Sequence, residues 1–204
     1  MRKGGQTVKK NANPIRVLIV FIMFVAACVG VFFYLSNRNS DDYHEPDNGK
    51  VMTQVQELLS RNLDTDYPPT PKELLKYYSE ITRCFYSEKY SEEELVELAK
   101  KSRALFDDEL YATQTDDQYL VALKADIDSY KAADRAISSY SVSASTDVNE
   151  YYYEGREWAQ LYCIYSVREG TTITPIQERF LMRKDDKGHW KILGWELASD
   201  EGSN

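Results

Sequence analysis

Two glutamates near the C-terminus have the spacing of carboxylates that face an apolar surface. Glu178 lies two residues from both Ile176 and Phe180, and Glu196 has a similar alternating relation to Trp190. A carboxylate held in an apolar pocket has a raised pKa and serves as a general base, as in isomerases that pair it with an oxyanion donor. The alternative is that both glutamates lie on the solvated face of a curved sheet. Glu178, Glu196 and Trp190 are thus a candidate ligand pocket.

Other signs of catalysis are missing from the sequence. The nucleophile motif G-x-S-x-G does not occur, and no histidine is placed to assist either glutamate. Only His44 and His189 are present, far apart in the chain, and there is no C-x-x-C spacing. The sequence therefore predicts no enzyme, no metal site and no cofactor.

Cys84 and Cys163 are the two cysteines of the chain beyond residue 35. In an exported domain they would form a disulfide that closes about 80 residues and adds about 4 kcal/mol of stability. Two reduced, buried thiols explain the pair equally well. Both readings stay open at the level of sequence.

Tyrosine is in excess, with 16 residues in the chain. Tyr151, Tyr152 and Tyr153 are consecutive and fall, with Arg156, in an expected turn between the first two strands. Three adjacent rings cannot all point into a core, and tyrosine is favoured at interfaces because it buries area while keeping a polar tip. These four residues are a candidate protein interface. The alternative is a longer hairpin with one face packed and the other exposed.

Amphipathic helices are predicted to precede the strands that carry these residues. Thr70, Pro71 and Glu73 form a helix start with an N-cap and proline at the first helical position, and Ser91 followed by Glu94 repeats the capping signal. The acidic run 107–109 lacks the spacing of an EF-hand and is best explained as helix caps. The predicted helices cover residues 51–63, 71–87, 92–111 and 117–135.

The apolar period changes from helical to two after Ile137, which predicts strands. The strands are expected at 137–148, 158–168, 174–184 and 189–197, with a hairpin loop at 185–188 that ends in Gly188. Helices followed by an antiparallel meander predict an α+β domain in which the helices pack on a bent, four-stranded sheet.

An uncharged run at residues 17–35 precedes this domain. Nineteen residues of helix span about 28 Å, close to the hydrocarbon thickness of a bilayer. Five basic residues and no acidic residue come before the run, which predicts an N-terminus in the cytoplasm. An alternative is lipoprotein processing at Cys28. The expected organisation is a basic cytoplasmic tail (1–16), a signal anchor (17–35), a flexible stalk (36–50), an extracytoplasmic domain (51–198) and a C-terminal tail (199–204).

The negative charge of the exported part argues against one class of partner, nucleic acids. All 33 acidic residues and 20 of the 25 basic residues lie beyond residue 35, which leaves a formal charge of −13. Binding to the phosphates of nucleic acid requires clustered lysine and arginine, so a nucleic-acid partner is not expected.

Two resemblances extend this interpretation. The segment 186–197, DKGHWKILGWEL, resembles the final hairpin of proteins with the nuclear transport factor 2-like, cystatin-related fold. The chain also resembles an uncharacterised family of single-pass membrane proteins from clostridial, Gram-positive bacteria. The residues that carry this second likeness are 67–71, 105–110, 137–140 and 190–195. The resemblances imply a bent sheet around helices and a location in the membrane, without an established activity.

The functional expectation is a membrane-anchored, extracytoplasmic binding or assembly module without catalysis of its own. It would cross the cell membrane once and bind a protein or another component of the cell envelope. The alternative is a pocket for a small ligand or a cell-wall fragment, with isomerase-like chemistry. These two expectations differ in what they demand of the cleft between helices and sheet, because a ligand site needs a cavity with convergent polar groups.

Overall fold

The structure is a computed structural model that describes residues 52–198. The predicted cytoplasmic tail, signal anchor, stalk and C-terminal tail lie outside these residues, as do Cys28 and the first residue of the predicted domain. Within 52–198, no helix has both the length and the apolar character needed to cross a membrane.

Five α-helices come first along the described chain. The two strongest predicted helix starts are confirmed: Thr70 accepts a hydrogen bond from the Glu73 backbone N–H, and Ser91 forms a reciprocal capping box with Glu94. The helices are α1 (Gln54–Ser60), α2 (Pro71–Ser87), α3 (Glu92–Ala104), α4 (Asp108–Tyr111) and α5 (Asp116–Ala132).

The prediction of one helix over 92–111 is wrong because the chain leaves α3 at Leu105. Phe106 forms an isolated parallel bridge with Ile192, and Asp107 becomes the N-cap of the separate helix α4. Leu105 and Phe106 are buried, so the break directs two apolar side chains into the core. Tertiary packing thus overrides the helical period at this point.

Five antiparallel strands follow the helices and confirm the α+β class. Their order across the sheet is β1-β3-β4-β5, and β2 pairs with the N-terminal part of β3, on the same edge as β1. Shifts of register in β1 and between β4 and β5 mark irregularities of the kind that bend a sheet. The strands are β1 (Arg135–Val142), β2 (Asn149–Tyr153), β3 (Arg156–Glu169), β4 (Thr172–Lys184) and β5 (Trp190–Leu197).

The prediction of four strands is wrong by one element, β2. The three consecutive tyrosines lie in this strand rather than in a turn, because Glu154 and Gly155 alone make the connection to β3. Both have positive φ, at 49° and 78°, as in the two-residue loops that favour tight hairpins. The predicted first strand is shorter than expected, and a single 3-10 turn, Ser145–Asp147, separates β1 from β2.

The core lies between α2 and one face of the sheet, here called the inner face. Helix α2 packs against β1, β3 and β5. The inner face carries Leu161, Cys163 and Phe180, each without exposed surface, and alternate residues point to the opposite, outer face, which carries Trp158 and Arg179. The polarity of each strand residue therefore follows from its place in this alternation.

Candidate functional site

An aromatic cavity of about 280 Å³, here called the helix–sheet cleft, lies between α2, α3, α5 and the end of β5. Rings supply most of its apolar wall. Tyr78 lies with its ring centroid 6.1 Å from that of Phe106 and 5.7 Å from that of Trp195. Exposed residues such as Thr113, Gln114 and Asp126 form its rim. The cleft is lined by Tyr78, Thr82, Phe85, Tyr86, Arg103, Phe106, Leu110, Thr113, Gln114, Tyr119, Ala122, Leu123, Asp126 and Trp195.

Arg103 is a buried cation in the wall of the cleft. Its Nε donates to Asp116 at 2.6 Å, and its Nη2 donates to the carbonyl oxygens of Tyr111 and Gln114 at 3.1 and 2.8 Å. The guanidinium carbon lies 4.0 Å from the centroid of the Tyr111 ring. Arg103 thus holds the segment between α4 and α5 against α3, and Asp116 balances its charge.

Two carboxylates belong to the cleft and its surroundings. Asp126 lies at the rim and accepts a hydrogen bond from the Tyr86 hydroxyl. Burial, with this bond to Asp126, raises the pKa of Tyr86 well above its usual value. Glu178 is not among the residues that line the cleft; it lies on the inner face, two residues from Phe180, whose ring stacks on Trp195 with the centroids 5.8 Å apart. Neither carboxylate makes a salt bridge within residues 52–198.

Glu178 is the carboxylate with the most perturbed ionisation in the described domain. Burial raises its pKa to about 7, and no neighbouring cation counteracts this shift. Burial is the main reason why the pKa values of Tyr78 and Tyr130 are also raised, and the charge of Glu178 adds a smaller contribution to each. A partly buried carboxyl group that titrates near neutral pH is a candidate functional residue.

The structure separates the other two members of the predicted pocket from Glu178. Glu196 points to the outer face, where Arg179 Nε donates to it at 2.9 Å, so the expectation that it faces the same pocket is wrong. Trp190 is buried in the core, and its carbonyl oxygen accepts a hydrogen bond from Tyr67 at 2.8 Å. The sheet has an irregularity within β5, between Ile192 and Gly194, which two-residue alternation cannot anticipate.

The three tyrosines of β2, here called the tyrosine strand, extend the hairpin as the alternative reading expected. Tyr151 and Tyr153 lie with Trp158 on the outer face, with ring centroids 6.3 and 6.0 Å from the Trp158 ring. Tyr152 points the other way and is 73 % exposed, the highest value among the large apolar and aromatic residues described. Arg156 lies next to this cluster, 3.3 Å from Asp186.

Both described cysteines are free, buried thiols, so the disulfide reading does not apply to this structure. Cys163 Sγ lies 3.3 Å from Ser79 Oγ, which is also 2.9 Å from the Tyr165 hydroxyl. Burial raises the pKa of Cys84 to about 11 and also raises that of Cys163. Such thiols are poor nucleophiles at neutral pH.

The sequence matches a known protein family over most of its length. The family model described as "Domain of unknown function (DUF6715)" matches residues 5–195. The chain belongs to the DUF6715 family. A search of curated proteins found no match. The expectation of an uncharacterised family is confirmed, and the match to DUF6715 spans both the described domain and most of the chain before it.

Sequence reasoning missed several residues of the cleft in this DUF6715 chain. Arg103 occupies a buried position one residue from the predicted apolar stripe of α3, and this was the available signal. Trp195 lies opposite Phe180 only because the register shifts within β5, which two-residue alternation from Trp190 does not predict. Asp126 gave no signal, because an acid on an exposed helix face is ordinary. Within residues 52–198, no group of three or more potential ligands is arranged to hold a metal ion.

Proposed function

We propose that the protein is a membrane-anchored binding module that acts outside the cytoplasm, without catalysis of its own, and recognises an extended segment of a partner protein through the tyrosine strand. The observation that carries this proposal is an edge strand with three exposed tyrosines. Tyr151, Tyr152 and Tyr153 are 40 %, 73 % and 55 % exposed. Exposed aromatic clusters on a soluble domain typically mark interaction sites.

The edge of β2 has free backbone groups to offer a partner. β2 pairs with β3 on one side, and no other described strand pairs with it. In a two-residue hairpin, the residues next to the loop exchange both hydrogen bonds, so the N–H and C=O of Tyr152 point away from β3. Natural edge strands are usually protected by charge, proline or a cover, whereas β2 has one acidic residue, Glu150, and three rings.

The outer face beside β2 can receive side chains of the same partner. A groove of about 390 Å³ there is lined by Tyr151, Leu181 and Leu193, with the Arg179–Glu196 ion pair at one side. An added strand places alternate side chains on each face of the sheet. The partner segment should therefore carry apolar or aromatic side chains at every second position.

The location of the domain rests on the sequence before it. The uncharged residues 17–35 and the basic residues that precede them support one membrane span with the domain exported. In intact protoplasts, external protease should digest a tag placed after residue 204 and leave a cytoplasmic marker intact. Protection of the tag in intact protoplasts, with digestion after lysis, would contradict the proposed location.

The nuclear transport factor 2-like fold belongs to this proposal as well. Helices packed on a bent antiparallel sheet, and the Asp185–Gly188 loop before β5, support it. Within that fold the outer face and edge of the sheet are free to serve as assembly surfaces while the helices fill the inner face.

Variants of Tyr152 separate the backbone from the side chain at the proposed edge. Tyr152→Ser removes the ring alone, and Tyr152→Pro removes the ring together with the outward N–H without removing a bond to β3, so the difference between the two variants reports on the backbone. In cells expressing the tagged full chain, we expect each variant to lower recovery of a crosslinked partner by about fivefold. The control is Val121→Ser, since Val121 is 69 % exposed on α5. Unchanged recovery with both Tyr152 variants would contradict the proposal.

A further inference from the structure

The helix–sheet cleft has a wall of aromatic rings that is independent of the tyrosine strand. Phe106 lies 5.9 Å from Trp195 and 5.9 Å from Tyr119, centroid to centroid. Trp195 is 40 % exposed although its ring contacts three buried rings, since its remaining surface borders the cavity and the outer groove. The faces of aromatic rings attract cations that come within about 6 Å of the centroid.

The charge around the cavity is also suited to a cation. Asp126 at the rim, and Glu178, whose charge acts on Tyr78 in the wall, have no ionic partner within residues 52–198, whereas the charge of Arg103 is balanced by Asp116. The carboxylates thus leave an excess of negative charge next to the rings. An anionic ligand, such as a phosphate or a carboxylate, would be repelled from this place.

The size of the cavity limits the ligand. Its volume of about 280 Å³ lies just below the range of about 300–1,000 Å³ for sites of small organic ligands, so only a compact ligand fits. Asp126 is the only carboxylate in the lining, and no cluster of three or more metal ligands occurs among the described residues, so the lining does not favour a bare metal ion. A compact organic cation meets the limits of size, apolar lining and charge.

We propose that the helix–sheet cleft binds a compact organic cation, with an ammonium group held over the rings of Tyr78 and Trp195 and its charge balanced by Asp126 and Glu178. The apolar part of the ligand packs on Phe106 and Tyr119. This site lies on the inner side of the domain, and it neither requires nor excludes a partner protein on the edge of β2.

Two soluble probes of nearly equal shape test the requirement for charge. Choline carries a quaternary ammonium group, and 3,3-dimethylbutan-1-ol replaces the nitrogen by carbon. The full chain is labelled with 5-fluorotryptophan, which gives signals from three tryptophans, Trp158, Trp190 and Trp195. We expect choline to shift the Trp195 signal saturably, leave the Trp158 and Trp190 signals in place, and bind at least about tenfold more tightly than the neutral alcohol.

Two conservative variants test the carboxylates. Asp126→Asn keeps an acceptor for the Tyr86 hydroxyl, and Glu178→Gln keeps the shape of the side chain. We expect each to weaken choline binding about fivefold, while Glu196→Gln on the outer face has no effect. Equal affinity for the two probes, no shift of Trp195 with choline, or unchanged choline affinity in the double variant Asp126→Asn/Glu178→Gln would each overturn the proposal.

The pH dependence of choline binding gives an independent readout. Glu178 pairs across the sheet with Cys163 of β3, and its charge acts on Tyr165 of β3, Tyr78 of α2 and Tyr130 of α5. Burial raises the pKa of each of these four groups, so they stay neutral near pH 7. Choline affinity should therefore rise between pH 6 and 8 as Glu178 ionises, with its pKa of about 7. A pH-independent affinity over this range would contradict a role for Glu178. Partner recovery through the tyrosine strand is measured separately and does not depend on these outcomes.

Discussion

Asp107 and Arg183 form a bidentate ion pair in which Arg183 Nε donates to Oδ2 and Nη2 donates to Oδ1, each at 2.7 Å. The Asp107 side chain is only 4 % exposed, and its Oδ1 also accepts the Glu109 backbone N–H as the N-cap of α4. The Asp107 carboxylate therefore caps the start of α4 and at the same time binds Arg183 of β4. These contacts favour an end of α3 at Ala104, although the apolar period of the sequence alone would continue the helix.

Replacing Asp107 by asparagine should lower the free energy of unfolding by about 2–4 kcal/mol. Asparagine still caps a helix, so the variant isolates the loss of a buried charge partner. The matched control is Glu109→Gln, since the Glu109 side chain also binds Arg183, at 2.6 Å, but is 69 % exposed; we expect less than about 1 kcal/mol there. Urea unfolding measures both, and equal effects would contradict the structural role of Asp107.

Acid should weaken the same ion pair. Burial raises the pKa of Asp107, but the hydrogen bonds from Arg183 and the Glu109 N–H outweigh burial, so the pKa is lower than that of an unfolded aspartate. The ion pair's stabilisation is present above about pH 4 and is lost as the pH falls through the native pKa. Below pH 4 the free energy of unfolding should fall more steeply for the native chain than for Asp107→Asn, and parallel pH profiles would contradict this.

Glu178→Gln should have the opposite pH dependence. The native pKa of Glu178, about 7, is above the unfolded value near 4.5, so ionisation disfavours the folded state. The penalty is absent below pH 4.5, grows through pH 7 and stays constant above it. Relative to native protein, Glu178→Gln should gain about 1–2 kcal/mol of stability between pH 4.5 and 8, after a discount for partial exposure. Glu196→Gln is the control, and equal pH profiles for both variants would contradict the burial of Glu178.

The hydrogen bond between Ser79 and Tyr165 should contribute to the stability of the fold. The Ser79 side chain has no exposed surface and lies 2.9 Å from the Tyr165 hydroxyl. Ser79→Ala leaves that hydroxyl buried without this partner, at a cost of about 1–3 kcal/mol. Tyr165→Phe in the same chain should recover part of the loss, because no unpaired hydroxyl remains. A double-mutant cycle by urea unfolding measures the coupling, and strictly additive losses would contradict it.

The two buried thiols should be unreactive in the folded domain. Cys84 and Cys163 have no exposed surface and raised pKa values, so few thiolates form at pH 8. Alkylation followed by peptide mass spectrometry should modify both within minutes in urea and neither in native buffer. A reductant should leave the thermal midpoint unchanged, whereas a fall in the midpoint would indicate a disulfide between them.

The starts of α2 and α3 and the alternation of β3 and β4 were predictable from local signals. Caps such as Thr70 and Ser91 act within four residues, and alternation along β3 and β4 reports directly which side is buried. The break at Leu105 depends on Arg183, 78 residues later, and no local pattern contains that contact. β2 was missed for a similar reason, because Glu154 adopts a positive φ that the sequence does not announce for a glutamate.

Some residues of the candidate sites were also predictable from local spacing, and others depend on the tertiary fold. Glu178 was singled out because its neighbours at two-residue spacing are apolar, and the structure does place it on the inner face. Glu196 shares the pattern but lies on the outer face beyond the irregularity in β5. The cleft combines Tyr78, Asp126 and Trp195 from three elements, and their proximity is a property of the tertiary fold.

Site-specific photo-crosslinking tests the central claim most directly. The full chain, expressed in its membrane, would carry p-benzoylphenylalanine in place of Tyr152 or, as controls, in place of Val121 or Ile173, which are 69 % and 60 % exposed. The proposal predicts an adduct of one partner from position 152, mapped to an extended segment with alternating apolar side chains, and none from the control positions. The same adduct yield from all three positions, or no adduct from position 152, would contradict recognition through the tyrosine strand.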